Sequence, residues 1–218
     1  MPSSQKVLPF VIFFLPFQFN KYFFTSASLV FGIPIDYRAL AIYLSDILII
    51  AYIALFIFEL KTPKVFYKEQ KAYILSLLSL NAYILLVNIF SNGSKIPPIY
   101  FSAKLLEFSL FSIALSSHFA RNNILNSIKN SLAISTIIES IIVIVQFLRQ
   151  KTLGLWFLGE RSFDTNTPSI AHAYIFEKQL LRGYGTFPHP NVAACFILVA
   201  QIIFLTKDIN SKNKLKKL

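Results

Sequence analysis

Apolar residues fall into six blocks separated by short polar or basic stretches: Val7 to Phe24, Ala39 to Phe58, Ala72 to Phe90, Phe101 to Phe119, Ser131 to Leu148 and Val192 to Thr206. Each approaches the length a helix needs to cross about 30 Å of hydrocarbon at about 1.5 Å per residue. Lys104 and Glu107 interrupt the fourth block near its start, and the sixth needs its flanks to reach the interface. The pattern predicts an all-α fold, a polytopic membrane helical bundle of about six transmembrane helices forming a single membrane domain over residues 1–218. Asn92-Gly93 and Pro97-Pro98 mark a tight turn between the third and fourth spans. The connection from Arg149 to Pro190 is far longer than joining two helices requires, and loops of that size are functional or disordered. Order is expected here. Leu153, Leu155, Trp156, Phe157 and Leu158 suit a membrane interface, Asp164 to Ser169 forms turns, and Ile170 to Phe176 pairs with Leu180 to Phe187 as a hairpin around Glu177-Lys178-Gln179.

Composition fixes the solvent. Hydrophobic residues make up 55% of the chain and charged residues only 14%, with a mean hydropathy of +0.59, which is too apolar for an ordinary soluble domain. The basic residues then give an orientation. Lys61, Lys64, Lys68 and Lys71 lie between spans two and three, Arg121 and Lys129 between four and five, and Lys207, Lys212, Lys214, Lys216 and Lys217 after span six; with Lys6 they are twelve of the twenty-one. The positive-inside rule therefore predicts a multi-pass protein of the cell membrane with both termini cytoplasmic and Arg149 to Pro190 outside. The net charge of +11 is spread over loop ends, so membrane lipids are the expected partner and nucleic acid is not.

Two smaller features follow. Thr25-Ser26-Ala27 looks like a weak cleavage site, but Pro9, Pro16, Asn20 and Lys21 make a poor signal peptide, so an uncleaved first span is expected. Cys195, the single cysteine, lies inside span six and is expected to be a small packing residue.

Candidate chemistry concentrates in Leu181 to Asn191, LRGYGTFPHPN, at the start of the last apolar block. Arg182 supplies a permanent forked cation, Gly183 and Gly185 let the backbone approach a ligand, and Pro188 and Pro190 hold His189 extended before Asn191 caps the next helix. Unpaired N–H groups and the positive end of that helix would face the same polar layer, which suits a phosphate or diphosphate. No Asp-x-Asp pair or His-Glu-x-x-His appears, so neither a metal site nor a cofactor is expected.

The run from Leu158 to Asn191 resembles the external loop of the O-antigen ligase and polymerase-related membrane proteins. Their recurring Arg-x-x-Gly-Thr-Phe-x-x-Pro-Asn-like segment is matched here by Arg182, Gly185, Thr186, Phe187, Pro190 and Asn191. LPFQFNKYFF followed by DYRALAIYLSDILII also looks like the first two spans of bacterial members. The resemblance implies a glycosyltransferase of polysaccharide biosynthesis that moves a glycan from a polyprenyl-diphosphate carrier to an acceptor on the outer side of the cytoplasmic membrane. Arg182, Gly183, Gly185, Thr186, His189 and Asn191 would then contact the lipid-linked glycan donor; the catalytic residue is not identified, and His189, between two prolines, has either a structural or donor-side role or a part in proton transfer. Full members continue beyond this point with a second large external loop that supplies a further Arg and a His resembling the general base. Because this chain stops at Leu218, the resemblance also implies a partner or continuation, and a partial site that is not expected to complete glycan transfer in the chain alone. Ligase and polymerase are not separated by these residues.

Polar residues inside the spans carry the rival readings. Asp46, Asn81, Asn88, Glu107, Glu139 and Gln201 are costly in hydrocarbon and should face the bundle interior. Glu139, near the middle of span five, either lines a substrate path or makes a buried hydrogen bond, and Lys104 with Glu107 reads as a local ion pair. A transporter would use Asp46 or Glu139 and tolerate loss of Arg182; a non-catalytic scaffold would tolerate loss of both Arg182 and His189.

Overall fold

The computed structural model describes residues 3–35, 38–59, 68–121 and 124–205. The basic tail with Lys207, Lys212, Lys214, Lys216 and Lys217, and also Lys61 and Lys64, lie outside the described residues. Helix α1 (Ser3–Phe14) is followed by strand β1 (Asn20–Phe23), two-residue strands β2 (Leu29–Val30) and β3 (Ile33–Pro34), and β4 (Leu40–Tyr43). Helices α2 (Leu44–Glu59), α3 (Lys68–Phe90), α4 (Ile96–Arg121) and α5 (Leu125–Arg149) come next, then strands β5 (His172–Ile175) and β6 (Lys178–Leu181), and finally α6 (Pro190–Leu205). Three helices are long and apolar enough to cross a membrane: Gln70–Phe90 of α3, Ile96–His118 of α4, and α5.

Each of the six apolar blocks holds a helix, and two differ from expectation. The first block is not one helix over Val7 to Phe24: α1 ends at Phe14, and Asn20–Phe23 is a strand. Pro16 is the physical reason, since it has no N–H and forces the preceding residue out of helical geometry, while Gln18 and Asn20 favour an end to the span. Within the second block, Leu40–Tyr43 is extended because it pairs antiparallel with β1, placing Phe23 opposite Leu40 and Asn20 opposite Tyr43. The helix begins only at Leu44, where the Asp46 carboxylate accepts the Tyr43 N–H at 2.7 Å, as the third residue of a capping box does. Pro97 and Pro98 also depart from the predicted turn. They lie in the first turn of α4, where a missing N–H costs nothing, and the turn itself falls at Gly93.

The chain divides into two compact units, Met1–Leu8 with Asn20–Asn123 and Pro9–Phe19 with Ile124–Leu218. In the first, the start of α1 is tied to the ends of α2 and α4: Ser4 donates through its N–H to Glu59 at 3.0 Å and bonds Glu59 through its hydroxyl, His118 Nε2 lies 3.2 Å from Ser4 Oγ, and Gln5 Nε2 lies 3.2 Å from His118 Nδ1. Those three helix ends therefore meet. α3 packs on α4 through Asn81, which donates to Ser109 at 2.8 Å, and Asn88, which donates to Ser102 at 2.7 Å. Lys104 pairs with Glu107 at 3.5 Å and also with Asp46, so the expected local pair is joined by a carboxylate from α2.

In the second unit, α5 packs on α6 and on the long loop. Two further expectations fail here. Cys195 is exposed on α6, not packed inside, and Gln201 is exposed as well, because the buried side of α6 is taken by Ala193 and Ala200. The small side chains allow close helix packing, and the cysteine falls off that stripe.

Candidate functional site

The long loop is ordered by its own hydrogen bonds. Past α5, Lys151 bridges Asp164, and the Thr152 N–H donates to the Phe163 carbonyl at 3.1 Å. Asp164 Oδ1 accepts the Asn166 N–H at 2.9 Å, closing the expected turn with a side chain that mimics backbone. Trp156 and Phe157 are exposed, as an interface position requires. A hairpin does form, of β5 with β6, but in another register than expected: Ile175 pairs with Lys178, the turn is Phe176-Glu177, Lys178 and Gln179 are strand and not turn, and of the expected second strand Leu180 to Phe187 only Leu180 and Leu181 are extended partners.

After β6 the chain descends alongside α5. Glu139, Val143 and Gln146 of that helix, with Gln150 just past its end, lie within about 60° of arc, so they form one stripe about 16 Å long. The motif reads down the stripe in order. Gln150 Oε1 accepts the Leu181 N–H at 2.8 Å; Gln146 Oε1 accepts the Tyr184 and Gly185 N–H groups, both at 2.8 Å; and Glu139 accepts the Thr186 N–H at 3.0 Å. The Thr186 hydroxyl lies 2.7 Å from Glu139 Oε1 and 3.0 Å from the Pro16 carbonyl. Gln146 Nε2 donates to the Gly185 carbonyl at 2.8 Å and to Glu160 Oε1 at 2.7 Å, which uses every donor and acceptor the amide has. Glu160 in turn holds the loop start by accepting the Leu153 N–H at 2.7 Å and the Leu155 N–H at 2.5 Å.

These bonds explain why polar residues are tolerated inside α5. Irregular backbone beside a helix apolar enough to cross a membrane has no water to satisfy it, and unsatisfied N–H and C=O groups are costly there. Glu139 and Gln146, both with no exposed surface, supply the missing partners. Glu139 thus makes the buried hydrogen bond of the two readings open to it. Asp46 is likewise engaged, at the start of α2 and with Lys104, so neither carboxylate gives a transporter reading support.

The glycines have a different purpose from the one expected. A Cβ on Gly183 would collide with the Val143 carbonyl oxygen, and one on Gly185 with Glu139, so both glycines let the backbone approach α5, not a ligand. Gly185 also has φ +64, where a side chain is strained. Thr186 is buried and turned toward Glu139, and Tyr184 and Phe187 are buried too. Three of the proposed donor contacts therefore face the protein.

Arg182, His189 and Asn191 form the accessible remainder. Arg182 is half-buried, its Nη2 donates to Asn191 Oδ1 at 2.8 Å, and among the described residues no carboxylate pairs with it. Asn191 is not the helix cap. α6 starts at Pro190, and His189 takes the capping position: its Nδ1 accepts the Asn191 N–H at 3.2 Å, and its carbonyl accepts the Val192 N–H at 3.0 Å and the Ala193 N–H at 3.3 Å. Pro190 is the physical reason, since proline suits the first helical position and moves the cap back by one. The N–H groups expected to meet an anion are therefore already used, and what remains for one is the Arg182 guanidinium and the helix dipole. With Nδ1 accepting, the neutral His189 ring carries its proton on Nε2, which leaves Nε2–H as the ring's donor.

Sequence reasoning singled out Glu139 but missed Gln146, Gln150 and Glu160. The signal was present: Glu139, Gln146 and Gln150 stand 7 and 11 residues apart on a helical period. Among the described residues no cluster of three or more His, Cys, Asp or Glu side chains is placed to hold a metal ion. No protein-family model, curated protein or solved structure matches the chain.

Proposed function

We propose that this chain is an O-antigen ligase-like membrane protein whose Arg182 binds the diphosphate of a polyprenyl-linked glycan donor on the outer side of the cytoplasmic membrane. The single observation that carries the reading is the fixed cation: Arg182 is held by Asn191 at the first turn of α6, while the rest of the motif is consumed in anchoring it to α5. Such a donor keeps its lipid tail in the bilayer and presents its diphosphate at the interface. A guanidinium there stabilises the charge that develops on the departing diphosphate, and His189 Nε2–H adds a second donor nearby. The orientation rests on the basic-residue asymmetry; the meeting of the α1 start with the α2 and α4 ends supports one shared side for all three, as the rule also assigns them.

The test is affinity for a polyprenyl-diphosphate analogue in nanodiscs. Loss of one charge-assisted bond is worth about 1.5–3 kcal/mol, so Arg182→Ala should weaken binding about 10- to 150-fold. Arg182→Lys should recover only part, because an ammonium cannot hold two phosphate oxygens in a plane. If both variants bind like the unmodified chain, Arg182 is an interfacial anchor and the reading fails.

A further inference from the structure

Two hairpins, one in each unit, are built alike. β2 and β3 pair Val30 with Ile33 and leave Phe31-Gly32 as the turn, with φ 51° and 80°; β5 and β6 leave Phe176-Glu177, with φ 49° and 63°. Both central residues left-handed is the arrangement of a type I′ turn, which suits the twist of a hairpin and selects Asn-Gly. Here a phenylalanine holds the first position in both. Its ring is wholly open, with relative exposures of 101% for Phe31 and 93% for Phe176, and the flanking Leu29, Ile33, Tyr174 and Ile175 are exposed as well.

A tip in water gains nothing from this choice, because the residue is strained by its Cβ and the ring lies uncovered. A tip in hydrocarbon gains the transfer of the ring, which outweighs the strain. We propose that Phe31 and Phe176 each insert into the headgroup–acyl boundary of the outer leaflet, with phospholipid itself as the occupant. Each hairpin is tethered where that boundary lies. Leu181, the last residue of β6, is bonded to Gln150 at the end of α5, and β4, a few residues beyond β3, runs directly into α2. The side chains beside the second tip match the layer: Tyr174 is an interfacial aromatic and Lys178 places a cation at phosphate level. The basic-residue asymmetry assigns the connection that carries each tip to the outer side.

The test uses the full chain in nanodiscs, with tryptophan fluorescence. Trp156 is the only tryptophan, so Phe31→Trp and Phe176→Trp are each made in a Trp156→Phe background, with Asn166→Trp on the exposed Asp164 turn as a water-facing control. The expected result is emission blue-shifted from the control, strong quenching by phospholipids brominated near the glycerol end of the acyl chains, and loss of iodide quenching. Emission and iodide quenching equal to the control would overturn the proposal. So would a blue shift without bromolipid quenching, which would mean that a second copy or another protein covers the tip. If a tryptophan variant does not insert, nitroxides at cysteines placed at 31 and 176 in a Cys195→Ser background give the same reading: collision with oxygen must exceed collision with a nickel chelate, and the reverse refutes insertion.

Discussion

Gln146→Leu should detach residues 183–186 from α5 and destabilise the protein by about 4 kcal/mol, because the lost amide leaves three buried backbone groups without partners at about 1–3 kcal/mol each, partly relieved by local relaxation. Those groups are the Tyr184 N–H, the Gly185 N–H and the Gly185 carbonyl. Leucine fits the volume, so the loss reports hydrogen bonding and not a cavity. Gln146→Glu should do no better: it keeps acceptors for the two N–H groups but sets a carboxylate against Glu160 and the Gly185 carbonyl. The control is Ile144→Leu, on the exposed side of the same turn, which should stay within about 0.5 kcal/mol of the unmodified chain. Unfolding midpoints in detergent compare the three. Equal midpoints for Gln146→Leu and Ile144→Leu would show that the amide does not hold the segment.

Gly159→Ala should cost about 3–4 kcal/mol, as the sum of a left-handed backbone and a collision with main chain. Gly159 has φ +86, and an added Cβ would run into the Gln18 carbonyl carbon and oxygen and the Phe19 nitrogen, none of which is the end of a movable side chain. The stretch after α1 must then move away, losing the bond from the Gln18 N–H to the Leu158 carbonyl at 3.2 Å and disturbing the Pro16 carbonyl that faces Thr186. Gly154→Ala separates the two causes: its φ is +83 but nothing lies within 4 Å of the added carbon, so only the strain of about 1 kcal/mol applies. The same unfolding measurement checks both. A Gly159→Ala midpoint no lower than that of Gly154→Ala would mean that the contact with Gln18 yields easily.

The helices were readable because hydrophobic blocks report on their own local surroundings. The hairpin of β5 and β6 and the Asp164 turn were readable for the same reason, since each is closed by neighbours a few residues apart. What was hidden depends on partners far along the chain. Nothing near Gln146 says that its amide meets Tyr184 and Gly185, and nothing in the pair Gly183 and Gly185 says whether the close neighbour is a ligand or α5. β4 is four residues and apolar enough to pass as the start of a span, while β1 carried a signal in Asn20 and Lys21 that the surrounding apolar block outweighed; their pairing with each other is what makes both strands. The cap fell to His189 and not to Asn191 because of Pro190, a rule that was available in the sequence but competed with the stronger capping preference of Asn191.

Donor binding by Arg182 requires that the loop from Arg149 to Pro190 face outward. Single cysteines in a Cys195→Ser background, at Asn166 in the loop and at Ser211 in the tail, decide this with a membrane-impermeant thiol reagent applied to intact and then to permeabilised cells. The predicted result is labelling of Asn166→Cys in intact cells and of Ser211→Cys only after permeabilisation. The opposite pattern would put Arg182 on the cytoplasmic side, where the motif could not meet a donor presented at the outer surface.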